Sequence, residues 1–251
     1  MSTFTGTVVL ITGPNRGIGR ELLERFVSRP NHLVIGAVRD SEATLSRELL
    51  SLQAGEGSKV IIVKIDSAID SDAQAAITDI QKNHGIDKID IVIANTGIIE
   101  DVTAVAETSP EAMRQHVNVN VIGVVTLFQA TAALLQKSPK PKFFALSGFT
   151  ASLNLMEVFN GPWFLHGVTK AALNYTLRKV HLENWWLTAV ALNPGWTQTE
   201  TGAFLARSVD IDAAPLPLKA SIDGLISVID EASRNAYGGL CIGHDKEPVQ
   251  W

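Results

Sequence analysis

His166 and Lys170 are the residues of this 251-residue chain whose types and spacing most directly suggest chemistry. They stand four positions apart in a segment with helical spacing, so their side chains lie one turn apart on one helix face and can reach the same ligand. An imidazole, with a reference pKa of about 6.5, can transfer a proton at neutral pH. We therefore expect a ligand site here, with an ordinary surface lysine as the plain alternative for Lys170.

The elements that must position this helix alternate between short β-branched runs and longer helical segments. The predicted strands are continuously apolar, which is typical of strands buried on both faces of a parallel sheet. The order predicts an α/β fold with a doubly wound parallel sheet of about seven strands. The predicted strands are 7–12, 33–38, 60–65, 89–94, 143–146, 188–192 and 240–242, and the predicted helices are 18–28, 71–84, 111–137, 166–184 and 221–232.

Local signals mark the ends of some elements. Ser109 places a capping hydroxyl before Pro110 at the first position of a helix. Residues 39–57 and 197–218 show no such pattern, and we predict that they are flexible connections. The most apolar stretch, 119–135, is interrupted by polar residues, so a helix buried on most sides is favoured over a membrane span.

Composition bounds the class of protein. At 251 residues and 46% apolar, the chain can bury one large core, and we predict one domain over residues 1–251. A net charge of -5 gives no basic surface for nucleic acid. The single cysteine excludes an internal disulfide, and the first residues do not resemble a signal peptide. We expect a cytoplasmic protein that binds neither nucleic acid nor membrane and holds no metal.

A glycine-rich turn follows the first strand and opens the first helix. Glycines are needed there because a side chain would block the approach of a dinucleotide pyrophosphate to the exposed backbone N–H groups and the helix dipole. This position predicts a cofactor site in a Rossmann fold, against the alternative of an unoccupied turn. The predicted contacts are Gly13, Asn15, Arg16, Gly17, Ile18 and Gly19.

The charge at the end of the second strand indicates which cofactor binds. An NAD enzyme of this fold places a carboxylate there for the ribose hydroxyls, and that carboxylate would repel a 2′-phosphate. Val38 occupies the place, and Arg39 follows it. Arg39 and Arg16 can clamp a phosphate, because arginine binds phosphate through paired hydrogen bonds. NADP(H) is favoured, with two solvated surface arginines as the alternative.

Five motifs in order make the whole chain resemble the short-chain dehydrogenase/reductase family. The glycine spacing Gly-x-x-x-Gly-x-Gly is the first of them. The resemblance implies that Asp66 and Ser67 contact the adenine and that Asn120 holds a water in a proton relay, although Asn120 can instead tie a kink in its helix. It also implies a homodimer or homotetramer. Further cofactor contacts implied by it are Asn95, Thr96, Gly97, Lys170 on the nicotinamide ribose, and Pro194, Gly195, Thr197 and Thr199 over the nicotinamide.

The chain departs from this family at the catalytic residues. The family has Tyr-x-x-x-Lys, in which the tyrosine protonates the developing alkoxide, and His166 stands at that position. The family's catalytic serine aligns with Gly148, which leaves Ser147 one place early as a candidate substrate contact. His166 is therefore a candidate substitute acid, although imidazole reaches less far than a phenol.

A missing acid suits hydride addition to an iminium, because that reaction yields a stable amine without a proton donor. It also suits a cycloaddition, which needs restrained reactants in a shaped apolar pocket. The sequence resembles the bifunctional reductase/Diels-Alderases of fungal bicyclo[2.2.2]diazaoctane indole alkaloids, which act on prenylated precursors. In that group an aspartate precedes Gly-Pro-Trp, where this chain has Asn160. The candidate pocket aromatics are Phe159, Trp163, Phe164 and Trp196.

Two other functions stay open at this point. A carbonyl reductase can use His166 as its acid. A catalytically silent NADPH-binding regulator would also lack the tyrosine and the serine together.

Overall fold

The computed structural model describes residues 4–100 and 102–251. In that part of the chain the strands are β1 (Thr7–Thr12), β2 (His32–Val38), β3 (Lys59–Lys64), β4 (Ile91–Ala94), β5 (Lys142–Leu146), β6 (Thr188–Asn193) and β7 (Cys241–Gly243). They form one sheet in the order β3-β2-β1-β4-β5-β6-β7. The order runs outward from β1 in both directions, which is the doubly wound arrangement. The predicted fold class is confirmed.

The helices of the same ranges include two that the sequence pattern did not predict. They are α1 (Gly17–Val27), α2 (Thr44–Glu48), α3 (Asp72–His84), α4 (Pro110–Val117), α5 (Gly123–Leu135), α6 (Phe164–Glu183), α7 (Glu200–Arg207) and α8 (Leu218–Glu231). Residues 39–57 and 197–218 were predicted to be flexible connections, and the structure places α2 and α7 in them. Each segment buries a few apolar side chains, such as Leu49 and Leu205.

The central strands form where the sequence is continuously apolar. In β1, Val9, Leu10 and Ile11 are each 0% exposed. β1 pairs in parallel with β2 on one side and with β4 on the other. The prediction of burial on both faces is wrong for β3, since that edge strand alternates between buried and half-buried residues and has an exposed lysine at each end.

The chain forms two compact units. The first contains the described residues up to Thr96 together with 122–144 and 186–188, and the second contains 97–121, 145–185 and 189–251. The glycine-rich turn belongs to the first unit. His166 and Lys170 belong to the second. The single domain over 1–251 stays a prediction.

The predicted helix 111–137 is interrupted. Ser109 caps α4 as predicted, since its hydroxyl accepts a hydrogen bond from Ala112 N at 3.0 Å. A π-helical turn, Asn118–Ile122, then separates α4 from α5. The helical stretch Pro110–Leu135 has 26 residues and is long and apolar enough to cross a membrane, with 39% of its most apolar window buried. Burial on most sides is therefore not what the structure shows, although one such helix is weak evidence for a membrane.

Asp90 anchors the start of β4 within the first unit. Its Oδ2 accepts hydrogen bonds from Val8 N at 2.9 Å and from the ammonium of Lys88, and its Oδ1 accepts from Ser138 Oγ at 2.6 Å. One half-buried carboxylate therefore satisfies a backbone donor of β1 and two side chains. This fixes the strand that delivers residues 95–97 to the carboxyl edge of the sheet.

We expect Asp90→Ala to lower the free energy of unfolding by about 2 to 3 kcal/mol, because it leaves several partly buried hydrogen-bond donors without an acceptor. Exposed Asp87, three residues earlier, is the matched control, and Asp87→Ala should change stability by less than about 0.5 kcal/mol. Urea unfolding of both variants measures the difference. Equal losses would show that Asp90 is not an anchor.

Candidate active site

The turn between β1 and α1 requires glycine for two separate reasons. Gly13 and Gly17 have φ values of 64° and 55°, in the left-handed region that glycine tolerates best. At Gly19, in the first turn of α1, an added Cβ would lie 2.4 Å from both Asn95 Nδ2 and Gly13 O. The predicted glycine turn is therefore a tightly packed backbone loop at the start of a helix.

Asn95 and Thr12 stabilise this turn through hydrogen bonds. The Asn95 amide donates to the carbonyls of Thr12 at 2.9 Å and Gly13 at 3.1 Å. Thr12 Oγ1 accepts from the backbone nitrogens of Asn95 and Thr96, each at 3.0 Å. The Asn95 side chain, predicted to contact the cofactor, is thus committed to the loop, and a Cβ at Gly13 would lie 2.9 Å from Thr96 Oγ1.

The amino terminus of α1 fits a phosphate. Its N-cap residue, Arg16, is extended and makes no side-chain capping bond, and the first turn contains no acidic residue. Backbone N–H groups and the positive end of the helix dipole therefore face outward without a neutralising carboxylate. Asn15 and Ile18, the other predicted contacts of this turn, are partly exposed.

The residues predicted to select the cofactor also lie in the first unit. Val38 is 2% exposed at the end of β2, and Arg39 after it is exposed, as is Arg16. Asp66 Oδ1 accepts from Ala68 N at 2.9 Å, which closes a turn after β3. The backbone of Ser67 packs against the start of α5, where an added Cβ at Gly123 would lie 2.5 Å from Ser67 O.

His166 lies in the first turn of α6 as a neutral, half-buried ring. Its Nδ1 lies 2.7 Å from Thr150 Oγ1. Burial lowers the pKa of His166 to about 3, and the nearby ammonium of Lys170 opposes protonation further. The imidazole therefore holds no extra proton at neutral pH, which weakens its predicted role as an acid.

Lys170 is buried one turn further along α6, at 6% exposure. Its ammonium donates to Leu146 O, the last residue of β5, at 2.6 Å. Burial lowers the pKa of Lys170 to about 8. An added Cβ at Gly97 would lie 3.4 Å from Lys170 Nζ, so glycine at 97 leaves the ammonium open on that side.

Gly148 and Ser147 differ from the predicted serine site. An added Cβ at Gly148 would lie 3.3 Å from His166 Cε1, so position 148 faces the imidazole and carries no hydroxyl. Ser147 is 5% exposed and donates to Asn174 Oδ1 at 2.7 Å. The prediction that Ser147 contacts substrate is not supported, because a one-residue shift along an extended chain turns its side chain into the core.

Asn120 lies in the π-helical turn and is 0% exposed. Its amide donates to Ile98 O and to Thr169 Oγ1, both at 3.1 Å, and its Oδ1 accepts from Ile98 N at 2.8 Å. Every side-chain group of Asn120 thus has a protein partner. Of the two predicted roles, the structure supports the tie at the helix interruption, because the side chain is fully committed to it.

Four rings in the second unit form what we call the aromatic cluster, consisting of Phe149, Phe159, Trp163 and Trp196. Phe149 is central, with ring centroids 4.7 Å from Phe159, 6.0 Å from Trp163 and 6.1 Å from Trp196. Phe159 is 40% exposed, whereas Trp163 is 6% exposed. Phe164, predicted with them, is half-buried and makes none of these described ring contacts.

The segment after β6 is shaped by its own hydroxyls. Gly195 has a φ of 73°, and Pro194 O accepts from Thr197 Oγ1 at 2.8 Å. Thr199 caps α7 by accepting from Gly202 N at 3.1 Å. The two threonines, predicted as cofactor contacts, therefore use their side chains to hold this turn.

Asn160 is exposed in the loop before α6, next to Phe159 in the chain. Its contact with substrate stays a prediction.

Comparison with known proteins identifies the family. The model of the short chain dehydrogenase family matches residues 7–208. The chain belongs to the short-chain dehydrogenase family. It is 37% identical over 248 residues to norsolorinic acid ketoreductase of Aspergillus parasiticus, covering 98% of this chain and 91% of that protein. It is 35% identical to short-chain dehydrogenase srdF of Neurospora crassa, covering 100% of each.

A solved structure shares the fold of this short-chain dehydrogenase. The NADPH-bound carbonyl reductase from chicken fatty liver superimposes with a TM-score of 0.87 at 23% identity, covering 98% of this chain and 99% of that one. The family is one of oxidoreductases. Membership therefore agrees with the glycine turn and with the retained lysine, and it makes His166 and Gly148 departures within an oxidoreductase site.

Three residues of the site were missed by sequence reasoning. Thr150, Phe149 and His116 carry no motif, and each becomes visible only through the residue it contacts. His116 is 1% exposed, with Nδ1 at 2.8 Å from Ala112 O and Nε2 accepting from Glu100 N at 3.3 Å. Helical spacing alone cannot place α4 beside α6, so no sequence signal pointed to His116.

The lowered pKa of His166 predicts a specific acid sensitivity. Between about pH 6.5 and pH 3 the unfolded chain protonates this ring and the folded protein does not, so folded stability is complete above pH 6.5 and falls as the pH decreases through that window. His166→Gln should therefore lose less stability than the wild type between pH 6.5 and 4.5. Urea unfolding at several pH values measures this.

The control is exposed His84, which lies 3.8 Å from Asp79 at the end of α3. His84→Gln should leave the acid sensitivity as steep as in the wild type. If His166→Gln is equally steep, His166 is protonated in the folded protein.

Proposed function

We propose that this protein is an NADPH-dependent reductase of a cyclic imine or iminium that also directs an intramolecular Diels-Alder cycloaddition in fungal indole alkaloid biosynthesis. One observation carries the proposal: the position expected to donate a proton holds His166, which burial and the ammonium of Lys170 keep neutral. Gly148 stands at the position where the family's catalytic serine is expected. The site thus retains the lysine of its family and lacks both of the expected hydroxyls.

This arrangement favours a carbon–nitrogen double bond over a ketone. Reduction of a ketone produces an alkoxide, which must be protonated or strongly stabilised. Reduction of an iminium removes a charge that is already present and leaves a neutral amine. The residues of this site need only orient such a substrate and exclude water from it.

The aromatic cluster supports a cationic substrate. Asn160 has no charge, and the buried ammonium of Lys170 repels a cation, so attraction for an iminium has to come from the rings. Aromatic faces attract cations through their quadrupole, and tryptophan does so most strongly. An iminium conjugated with an indole can therefore stack on these rings without a carboxylate partner.

The surroundings of the cluster support restraint of a large apolar molecule. The loop that leads to Phe159 exposes Leu153, Met156 and Val158 at 69%, 57% and 71%. Exposed apolar side chains beside a group of aromatic rings are typical of sites for apolar ligands. A cycloaddition gains most from such restraint, because holding two reacting groups together removes much of its entropic cost.

NADP(H) is the proposed cofactor, and when bound it supplies the hydride. The uncapped helix α1 offers its first N–H groups to the pyrophosphate, and Arg39 and Arg16 offer charge to the 2′-phosphate. The chicken carbonyl reductase of the same fold is described as NADPH-bound. Lys170 lies open toward Gly97, where it can bind the nicotinamide ribose.

Carbonyl reduction is the second candidate. It is favoured by the 37% identity to norsolorinic acid ketoreductase, and it would require His166 or a water to supply the proton. We also propose a cytoplasmic location and a homodimer or homotetramer, in line with the exposed apolar residues Tyr175 and Leu182 of α6.

The role of Arg39 predicts cofactor selectivity. Arg39→Ala should weaken NADPH binding by roughly 1.5 to 3 kcal/mol, the contribution of a hydrogen bond to a charged group, and should change NADH binding little. Fluorescence titration of both cofactors measures the two affinities. Arg47→Ala removes another exposed arginine, paired with Glu42, and should affect neither. An equal loss for both cofactors would refute the assignment.

The choice of substrate is tested with a cyclic iminium and a ketone of matched ring structure. We expect NADPH oxidation with the iminium and much less with the ketone. His166→Ala should slow iminium reduction by less than about tenfold, below the 10²- to 10⁴-fold that general acid catalysis contributes. Faster turnover of the ketone would favour a carbonyl reductase. Binding of NADPH with turnover of neither would favour a regulator.

A further inference from the structure

Thr150 is the hydrogen-bond partner of His166. It lies in a single helical turn, Phe149–Ala151, between β5 and α6. We propose that Thr150 is a positioning residue that donates its hydroxyl hydrogen to Nδ1 of His166, so that Nε2 bears the ring hydrogen and presents it to the substrate as a hydrogen-bond donor. The identity of the substrate that receives this hydrogen bond rests on the proposed function. The tautomer of His166 rests on the structure alone.

The turn holds Thr150 in a fixed place. Its backbone carbonyl packs against α6, where an added Cβ at Gly167 would lie 3.0 Å away. The turn is closed by a hydrogen bond from Ala151 N to Gly148 O at 3.1 Å. The Thr150 hydroxyl therefore cannot move far from the imidazole without a change in this packing.

The direction of the hydrogen bond follows from the other needs of the hydroxyl. Thr150 Oγ1 and His166 Nδ1 lie 2.7 Å apart, and either could donate. Within residues 4–100 and 102–251, no second acceptor lies within hydrogen-bond distance of Thr150 Oγ1. If Nδ1 donated, the hydroxyl hydrogen would have no protein partner, whereas the basic lone pair of a neutral imidazole accepts it well.

Comparison with His116 shows which ring nitrogen of His166 can bind a ligand. Both ring nitrogens of His116 are bound to the backbone, at Ala112 O and Glu100 N. For His166 only Nδ1 has a partner among the described residues. Nε2 is therefore the atom that faces a ligand, and a neutral Nε2–H can donate a hydrogen bond to a carbonyl oxygen of the substrate without giving up its proton.

Glycine at position 148 is part of the same arrangement of Thr150 and His166. A serine side chain there would begin 3.3 Å from His166 Cε1, the atom between the two ring nitrogens. Its hydroxyl would compete with Thr150 for the ring or fill the space beside Nε2. The loss of the expected serine and the gain of the imidazole are therefore sterically coupled.

The test begins with the resting protein, without substrate. Long-range ¹H–¹⁵N NMR of the ¹⁵N-histidine-labelled protein at pH 7, with His166→Gln to assign the signal, should show the ring hydrogen on Nε2. Thr150→Val, which keeps the shape and removes the donor, should shift the ring toward the other tautomer or a mixture. Thr150→Ser should restore the wild-type spectrum. Thr176→Val, on the exposed face of α6, should leave it unchanged.

Turnover of a cyclic iminium that also carries a ring carbonyl, the acceptor for Nε2–H, provides the second measurement. Thr150→Val should lower kcat by about threefold to tenfold, the scale of one neutral hydrogen bond, with unchanged KM for NADPH, and Thr150→Ser should recover it. A wild-type ring with its hydrogen on Nδ1 would overturn the proposal, as would an unchanged kcat in Thr150→Val. The wild-type spectrum decides the tautomer even if Thr150→Val does not fold. The expected spectrum without iminium turnover would instead overturn the proposed function.

Discussion

The site depends on one buried positive charge. The ammonium of Lys170 is 6% exposed and donates to the last carbonyl of β5 at 2.6 Å. A second positive charge one helical turn away would be repelled in an environment of low dielectric constant, in addition to losing its own hydration. His166 therefore remains neutral, and a site with a neutral imidazole at this position performs different chemistry from one with an acid.

The fold provides the places that this constraint requires. β5 ends at Leu146 and delivers its carbonyl to Lys170, while the following turn carries Gly148 and Thr150 to His166. The π-helical turn positions Asn120, whose amide bonds Thr169 of α6 and the backbone of Ile98. Within the second unit, α6 is thus fixed from two directions, and its two functional side chains gain a defined spacing.

In the loops predicted to contact the cofactor, several side chains hold the backbone in shape. Asn95, which was predicted to contact the cofactor, and Thr12 both use their side-chain hydrogen bonds within the glycine turn itself. Thr197 and Thr199 do the same for the turn after β6. These motifs therefore specify the shape of loops, and in the first unit the groups proposed for a dinucleotide are backbone N–H groups of α1 and the exposed Arg39.

Sequence reasoning succeeded where a pattern is continuous or a motif is local. The apolar runs predicted where the strands lie along the chain, and the glycine spacing predicted the turn before α1. It failed where burial comes from distant partners: α2 and α7 are held by a few buried side chains in polar segments, and the edge position of β3 depends on the topology. Ser147, predicted to contact substrate, is buried and donates its hydroxyl to Asn174, a partner distant in the sequence. Thr150, Phe149 and His116 were missed because contacts between elements leave no periodic signal.

The central claim is that the protein supplies no proton when hydride reaches the substrate. It is tested most directly by single-turnover reduction of a cyclic iminium with NADPH deuterated at the transferring position, in H₂O and in D₂O. The account predicts slower transfer from the deuterated cofactor and the same rate in both solvents. A rate that also falls in D₂O would contradict it, because a proton would then move in the same step as the hydride.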